Sequence, residues 1–223
     1  MHSEKGWIPY PEEIRETPLG GLEIEVHRPS AHHVVMGASG RVLQEVYPDE
    51  LISEGIPLYK RKGGGGTVLL GPETLVVTVH AGVAHLYRNL AYFTAINASL
   101  ISLFRTWQPA DYYHRGISDI AVGNRKLVGS SIFRRRQYLL FQASILVSLD
   151  LPLMRRLLRH PPKEPDYRAG RDHGAFLTSL RQLGVALTHE TMIKDLENSL
   201  PNLIRAALRP IDENKSPSTA LKD

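Results

Sequence analysis

Cysteine is absent from the 223-residue chain. Disulfides, cysteine-ligated zinc and a thiolate nucleophile are therefore excluded. Long apolar runs are missing too: none approaches the roughly 20 residues that carry a helix across a bilayer. The N-terminal MHSEKGWIPYPEEIRE holds no apolar segment of a secretory signal. A cytoplasm, or an organelle reached after import, is the expected compartment, with no membrane partner. Charge of one sign is scarce as well. The 27 basic and 23 acidic side chains leave a net +4, which favours anionic substrates or acidic partners. It lacks the aromatic, basic stripe of a nucleic-acid binder, so none is expected. The ten histidines include no His-Glu-x-x-His. His32 and His33 are neighbours that a strand would point to opposite faces, and His80 and His85 lack helical ligand spacing. No metal site is expected, and no internal repeat is visible.

The length is that of one domain with a core of ordinary size. Residues 1–20, rich in Pro and charge, read as a lead-in that orders on contact. Residues 22–27 alternate apolar and polar as a half-buried strand does. Residues 34–36 form a strand ending in the turn Gly37-Ala38-Ser39-Gly40. A short strand is expected over 42–47 and a helical turn over 48–55. The run 67–70, a Gly-Pro turn and the β-branched run 75–79 follow. Leu86, Leu90, Phe93, Asn97, Leu100 and Phe104 recur at helical spacing, predicting a helix over 85–104 with Asn97 in need of a partner. A polar, aromatic loop is expected over 106–115.

Strands are expected over 117–122, 125–132 and 138–149, the first two closed by the hairpin turn Gly123-Asn124. Asp150 caps a helix through Leu158 with Pro152 in its first turn. A Pro-rich connector over 160–166 leads to a helix that Asp172 caps, carrying Phe176, Leu177, Leu180 and Leu183 to a stop at Gly184. The last helix spans 188–208, re-starting at Pro201. The order is strands, a long helix, strands, then helices. It predicts an α+β fold with a mixed, mostly antiparallel sheet packed with helices, over residues 1–208, and a disordered polar tail over 209–223.

Two stretches carry chemistry. In the first, Lys60, Arg61 and Lys62 precede Gly63, Gly64, Gly65 and Gly66. Glycines beside cations let a backbone approach an anion closely; a flexible hairpin is the plain alternative. No Gly-Lys-Ser/Thr follows, and strand follows where a dinucleotide fingerprint needs helix, so neither phosphate motif applies. In the second, Lys126 stands just past the Gly123-Asn124 turn in an apolar hairpin, with Gly129, Ser130 and Ser131 behind it. A lysine there is a solvated edge charge or the wall of a pocket, where its three donors could hold a carbonyl and a phosphate together.

Together the two stretches resemble the lipoate-protein ligase family, within the biotin and lipoate ligases and octanoyltransferases. That family pairs an Arg-Arg-x-Ser/Thr-Gly-Gly-Gly-Ala-Val loop with an Asn-Asp-Ile/Leu strand and a Lys-x-Ser/Ala-Gly-Ser-Ala strand. Here the loop reads Lys60-Arg61-Lys62-Gly63-Gly64-Gly65-Gly66-Thr67-Val68. The strands read Ser118-Asp119-Ile120 and Lys126-Leu127-Val128-Gly129-Ser130-Ser131. Leu69, Leu70 and Gly71 stand where the family is more polar, and Gln142-Ala143 where it has His-Gly.

The resemblance implies a ligase catalytic-domain fold and an adenylating reaction. The lipoate (or octanoate) carboxylate attacks the α-phosphorus of ATP, with Mg2+, and pyrophosphate leaves. A lysine amine on an acceptor domain then attacks the acyl carbonyl and AMP leaves. Lys126 matches the invariant catalytic lysine. Arg61, Gly64, Gly65, Gly66, Thr67, Val68, Leu69 and Asp119 match the ATP and adenylate wall, and Gly129, Ser130 and Ser131 the acyl side. The acceptor implied is a lipoyl domain of a 2-oxo-acid dehydrogenase acyltransferase subunit, or a glycine-cleavage H protein. Larger members carry a C-terminal accessory domain, a piece a separate accessory subunit could supply. Octanoyltransferases of this fold pass the acyl chain through a cysteine thiolate, which this chain cannot do. A non-catalytic ligase-like subunit that binds an acyl group or a partner stays open, as does a biotin ligase. Arg134-Arg135-Arg136 reads as a solvated face or a dock for an acidic acceptor. Tyr167-Arg168-x-x-Arg171-x-His173 reads as a loop able to close over the site.

Overall fold

The computed structural model describes residues 6–15 and 17–213. The chain opens with β1 (Ile8–Pro9), β2 (Leu22–His27) and β3 (His33–Met36), then two short helices, α1 (Val42–Glu45) and α2 (Pro48–Ser53). Strands β4 (Leu58–Lys60), β5 (Val68–Leu70) and β6 (Thr74–Gly82) precede the long helix α3 (Asn89–Trp107). Then come β7 (Tyr112–Arg115), β8 (Asp119–Val122), β9 (Arg125–Arg135) and β10 (Tyr138–Leu146). Helices α4 (Leu151–Leu157), α5 (His173–Phe176) and α6 (His189–Glu213) complete the described chain. None of these helices is long and apolar enough to cross a membrane.

The architecture is α+β, as expected. Six strands form an antiparallel sheet in the order β2-β6-β10-β9-β8-β7. Four short strands form a smaller mixed sheet, β1-β4-β3-β5, in which β4 runs parallel to both neighbours. The β-branched run of β6 is buried at all nine positions, because its two faces serve two cores. Val77 and Val79 pack with Ile96, Leu100 and Phe104 of α3 and with Leu196, Leu200 and Ile204 of α6. Val76, on the other face, packs with Val35 and Leu70 of the small sheet. Period-two alternation thus ties the two sheets together along one strand. A further core joins Val34, Leu58 and Leu69 to Leu146, Met154 and Phe176.

Several expectations are corrected, each for a tertiary reason. Residues 42–45 are helix where a strand was expected: the amides of Gln44 and Glu45 donate back to the Arg41 carbonyl. The loop expected over 106–115 contains β7, which pairs with β8 while Tyr112 packs on Phe104. Helix α3 starts at Asn89, not at 85. The amides of Ala84 and His85 donate to Asp212 and to the Tyr92 hydroxyl, which holds that segment out of the helix. Leu86, outside the helix, and Leu90, in its first turn, are exposed, whereas Phe93, Asn97, Leu100 and Phe104 are buried. Both side-chain polar atoms of Asn97 stay unpaired.

The helix from residue 173 ends at Phe176, because the sheet captures the chain. The Thr178 amide donates to the Lys126 carbonyl, and those of Leu180 and Arg181 donate to Leu146 and Val147. The Asp172 cap itself is present, accepting from the Ala175 amide, and Gly184 adopts φ +91. Asp150 caps α4 as expected. Helix α6 runs unbroken through Pro201 and Pro210 to Glu213, so 209–213 belong to the helix and not to a disordered tail. A buried row at four-residue spacing, Met192, Leu196, Leu200, Ile204 and Leu208, outweighs the hydrogen bonds the prolines remove. The remainder of the expected tail, 214–223, lies outside the described residues.

Candidate active site

The glycine stretch joins β4 to β5 of the small sheet, and its cations are turned onto protein atoms. Lys60 Nζ donates to the Gly40 carbonyl and lies over the Trp7 ring. The Lys62 amide donates to the buried Glu12 carboxylate. Arg61 folds back on its own loop: Nη2 donates to the carbonyls of Gly64 and Gly66 at 2.7 and 2.8 Å, and Nη1 to Val35 at 3.1 Å. Burial pushes the pKa of this guanidinium down to about 10, so it stays cationic at neutral pH.

Close packing dictates one glycine of the loop, Gly63, and one that faces it, Gly37. A Cβ on Gly63 would meet Ser131 Oγ at 2.8 Å, and one on Gly37 would meet the Gly65 carbonyl oxygen at 2.0 Å. Gly65 needs its φ of +91. Gly64 and Gly66 face open space. The loop is therefore a fixed rim, whereas the flexible hairpin would have needed none of these contacts.

Lys126 reaches the same region from the large sheet, and the route is set by β9. The β8–β9 register shifts between Ile120 and Ala121, so that Ile120 pairs with Val128 and Ala121 with Lys126. Leu127 is the extra residue of this bulge, and bulges re-aim side chains. Lys126 then lies over Gly129, where a Cβ would stand 2.9 Å from both Cε and Nζ. Asp119 pairs opposite Gly129, and Lys126 Nζ crosses that gap to Asp119 Oδ1 at 2.8 Å. The second carboxylate oxygen accepts from the Tyr167 hydroxyl at 2.9 Å. Burial first, then the Asp119 charge, raises the Tyr167 pKa, which keeps the phenol a donor.

A cleft of about 1070 Å³ lies between these parts. Gly65, Gly66, Thr67 and Val68 line it from the small sheet, with Arg61 beside them. Asp119, Lys126, Gly129, Ser130 and Ser131 line it from the large sheet. A second pocket of about 90 Å³ opens off it, with Leu69, Leu146, Met154, Leu158, Phe176 and Leu177 as apolar walls. Two expected positions fall elsewhere: Leu69 lines this small pocket and not the cleft, and Gly64 lines neither.

Sequence reasoning missed the apolar walls, because α4, α5 and β10 meet only in three dimensions. It also missed Glu45, a buried carboxylate bordering both cavities, which accepts from the Thr67 hydroxyl and the Arg41 amide. The Tyr-Arg-x-x-Arg-x-His pattern was the one signal for the connector. Its residues 161–168 do line the cleft, and Arg115 stacks on the Tyr167 ring at 5.0 Å. Arg134 of the triple-arginine run is not free: it lies over Tyr92 and donates to the His85 carbonyl. Among the described residues no group of three or more His, Asp or Glu is arranged to hold a metal ion.

The stretch that carries the glycine rim and the lysine strand also matches a family model. Residues 26–201 match the model of the lipoyl protein ligase A/B catalytic domain. The chain belongs to that family. Among curated proteins none matches it significantly. Solved structures share the lipoyl-ligase fold at low sequence identity. One is a bi-partite lipoate protein ligase from Thermoplasma acidophilum, described with its E2 lipoyl domain. It is 17% identical with a TM-score of 0.68, over 93% of this chain and 83% of that one. A second T. acidophilum structure, with bound lipoic acid, is 18% identical with a TM-score of 0.68, over 85% and 73% of the two chains. A lipoate-protein ligase A bound with ATP is 18% identical with a TM-score of 0.65, over 87% and 83%.

Proposed function

We propose that this lipoyl-ligase-family chain uses ATP to convert lipoate or octanoate to its acyl-adenylate and transfers the acyl group to a lysine of a lipoyl acceptor domain. One observation carries the reading. Lys126 and the Gly65–Thr67 rim line a single cleft from two different sheets, and an apolar pocket opens beside the lysine. A triphosphate suits the polar cleft and an aliphatic tail suits the pocket, so the carboxylate and the α-phosphorus would meet near Lys126. Attack by the carboxylate oxygen expels pyrophosphate. Attack by the acceptor amine then expels AMP and passes the amine proton to solvent. In both steps negative charge builds on oxygens beside the Lys126 ammonium, in a partly dry site where such stabilisation is strong. Mg2+ would arrive with the ATP phosphates, and Asp119 is the carboxylate nearest Lys126.

A second reading has support in the same contacts. Lys126 is paired with Asp119, and Arg61 is engaged by loop carbonyls. A subunit that binds an acyl group or a partner without adenylation would tolerate both. The fold shared with a bi-partite ligase supports a separate accessory subunit in either case. The deciding experiment incubates the protein with ATP, Mg2+ and an acceptor lipoyl domain, using lipoate, octanoate and biotin side by side. An acceptor mass gain with lipoate or octanoate supports the ligase reading. Neither adenylate nor transfer with any acid leaves the non-catalytic reading.

A further inference from the structure

Arg168 ends a single helical turn, Asp166–Arg168, in the connector that borders the cleft. Its side chain is only 6% exposed. Nε is occupied: it donates to the Arg171 carbonyl at 3.0 Å and stands 3.3 Å from Glu164 Oε2. The guanidinium plane lies over the Phe176 ring, 4.7 Å from its centroid. Nη2 is buried and has no hydrogen-bond partner. A guanidinium engaged through Nε but with Nη2 buried and unpaired is costly, because a buried charged donor has lost its water. The free Nη2 donor suits a charged oxygen acceptor such as a carboxylate.

The position of Arg168 says which acceptor. It lines both the polar cleft and the apolar pocket, as Lys126 and Gly129 do. A ligand whose chain fills the pocket must leave its polar head at that boundary. The other charged group lining both cavities besides Lys126 is Glu45, whose two oxygens already accept from Thr67 and Arg41; Glu164 lines the cleft alone, where it accepts from the Gly170 amide and stands 2.9 Å from His160 Nε2. We infer that Arg168 receives the carboxylate head of an aliphatic acid whose tail occupies the pocket walled by Leu146, Met154, Leu158 and Leu177. Held this way, the acid presents an oxygen beside Lys126 before ATP is engaged. The inference rests on the ligase reading and adds a residue that its two motifs do not contain.

The test needs no turnover. Octanoate and octanamide have nearly the same shape and differ in charge. Their binding to wild type, Arg168→Gln and Arg168→Lys is measured by calorimetry without ATP, with thermal melts to confirm folding. Wild type should prefer octanoate. Arg168→Gln should lose octanoate affinity by at least about tenfold, the weight of one charge-assisted contact, and bind octanamide unchanged. If that variant does not fold, Arg168→Lys carries the comparison: losing the donor at the Nη2 position should weaken octanoate alone. Equal weakening of both ligands, or no change in either, overturns the inference while the ligase reading stands. Binding of neither octanoate nor lipoate by wild type overturns both.

Discussion

Lys126 Nζ stands 2.8 Å from Asp119 Oδ1 across the bare backbone of Gly129. The two side chains are 23% and 8% exposed, so the pair is screened far less than a surface ion pair. Removing either partner strands a buried charge, which costs more than the pair itself contributes. Lys126→Ala and Asp119→Ala should each destabilise by about 2 kcal/mol, and the double variant by clearly less than the sum, with coupling of about 1–3 kcal/mol. Urea unfolding of the four proteins measures this, and additive effects would refute the pairing. Lys126→Ala should also abolish adenylate formation; full turnover in that variant would end the catalytic assignment.

Tyr167→Phe tests the link from the connector to the site. The variant keeps the ring between Arg115 and Phe176 and removes the hydroxyl that donates to Asp119 Oδ2. A hydrogen bond to a charged group is worth about 1.5–3 kcal/mol, so the melting temperature should fall by several degrees. Turnover should fall more steeply than the affinity for ATP, because Asp119 no longer fixes Lys126. Single-turnover adenylation and nucleotide binding, measured side by side, separate the two effects. Unchanged adenylation would make the tyrosine a packing residue only.

The glycine rim gives two contrasting substitutions. Gly37→Ala drives a Cβ against the Gly65 carbonyl oxygen, and backbone cannot yield as a side-chain tip can. It should cost about 1–3 kcal/mol and weaken ATP binding by displacing the rim. Gly64→Ala meets nothing within 4 Å and should leave stability within about 0.5 kcal/mol. Denaturation midpoints distinguish them. A destabilised Gly64→Ala would mean that the loop packs differently.

Acid should weaken the fold through His173. Burial, then the nearby Arg168 charge, pushes its pKa down to about 4 from the usual 6.5. The unfolded chain therefore binds a proton at a higher pH than the folded chain. Stability is fully present above about pH 6.5 and declines as pH falls toward 4. His27, His33, His80 and His189 are also shifted down by burial, so wild type should lose stability steeply over this range. Chemical denaturation between pH 7 and 4 should show a shallower decline for His173→Gln. Parallel curves would remove His173 from the titration.

Much of this architecture was legible because its signals are local. The β-branched run of β6, the Gly123-Asn124 hairpin and the Asp150 and Asp172 caps depend on neighbours within a few residues. Failures came where distant chain overrode local preference. Residues after Phe176 have helical spacing, yet the Lys126 and Leu146 carbonyls take the amides of Thr178 and Leu180. Pro201 and Pro210 look like helix breaks, yet five buried side chains hold α6 together.

The sequence by itself determined the α+β class and the absence of thiol chemistry; the glycine loop and Lys126 are both visible in it, and the family resemblance is what paired them. Composition, period and spacing are properties of the chain alone. Only the tertiary structure decided what those parts face. The bulge at Leu127 and the missing side chain of Gly129 aim Lys126 at Asp119. The turn of Arg61 onto Gly64 and Gly66 makes it a brace of the loop. The meeting of β10, α4 and α5 creates an apolar pocket beside the lysine. Each rests on contacts between residues far apart in sequence, where spacing carries no information about distance.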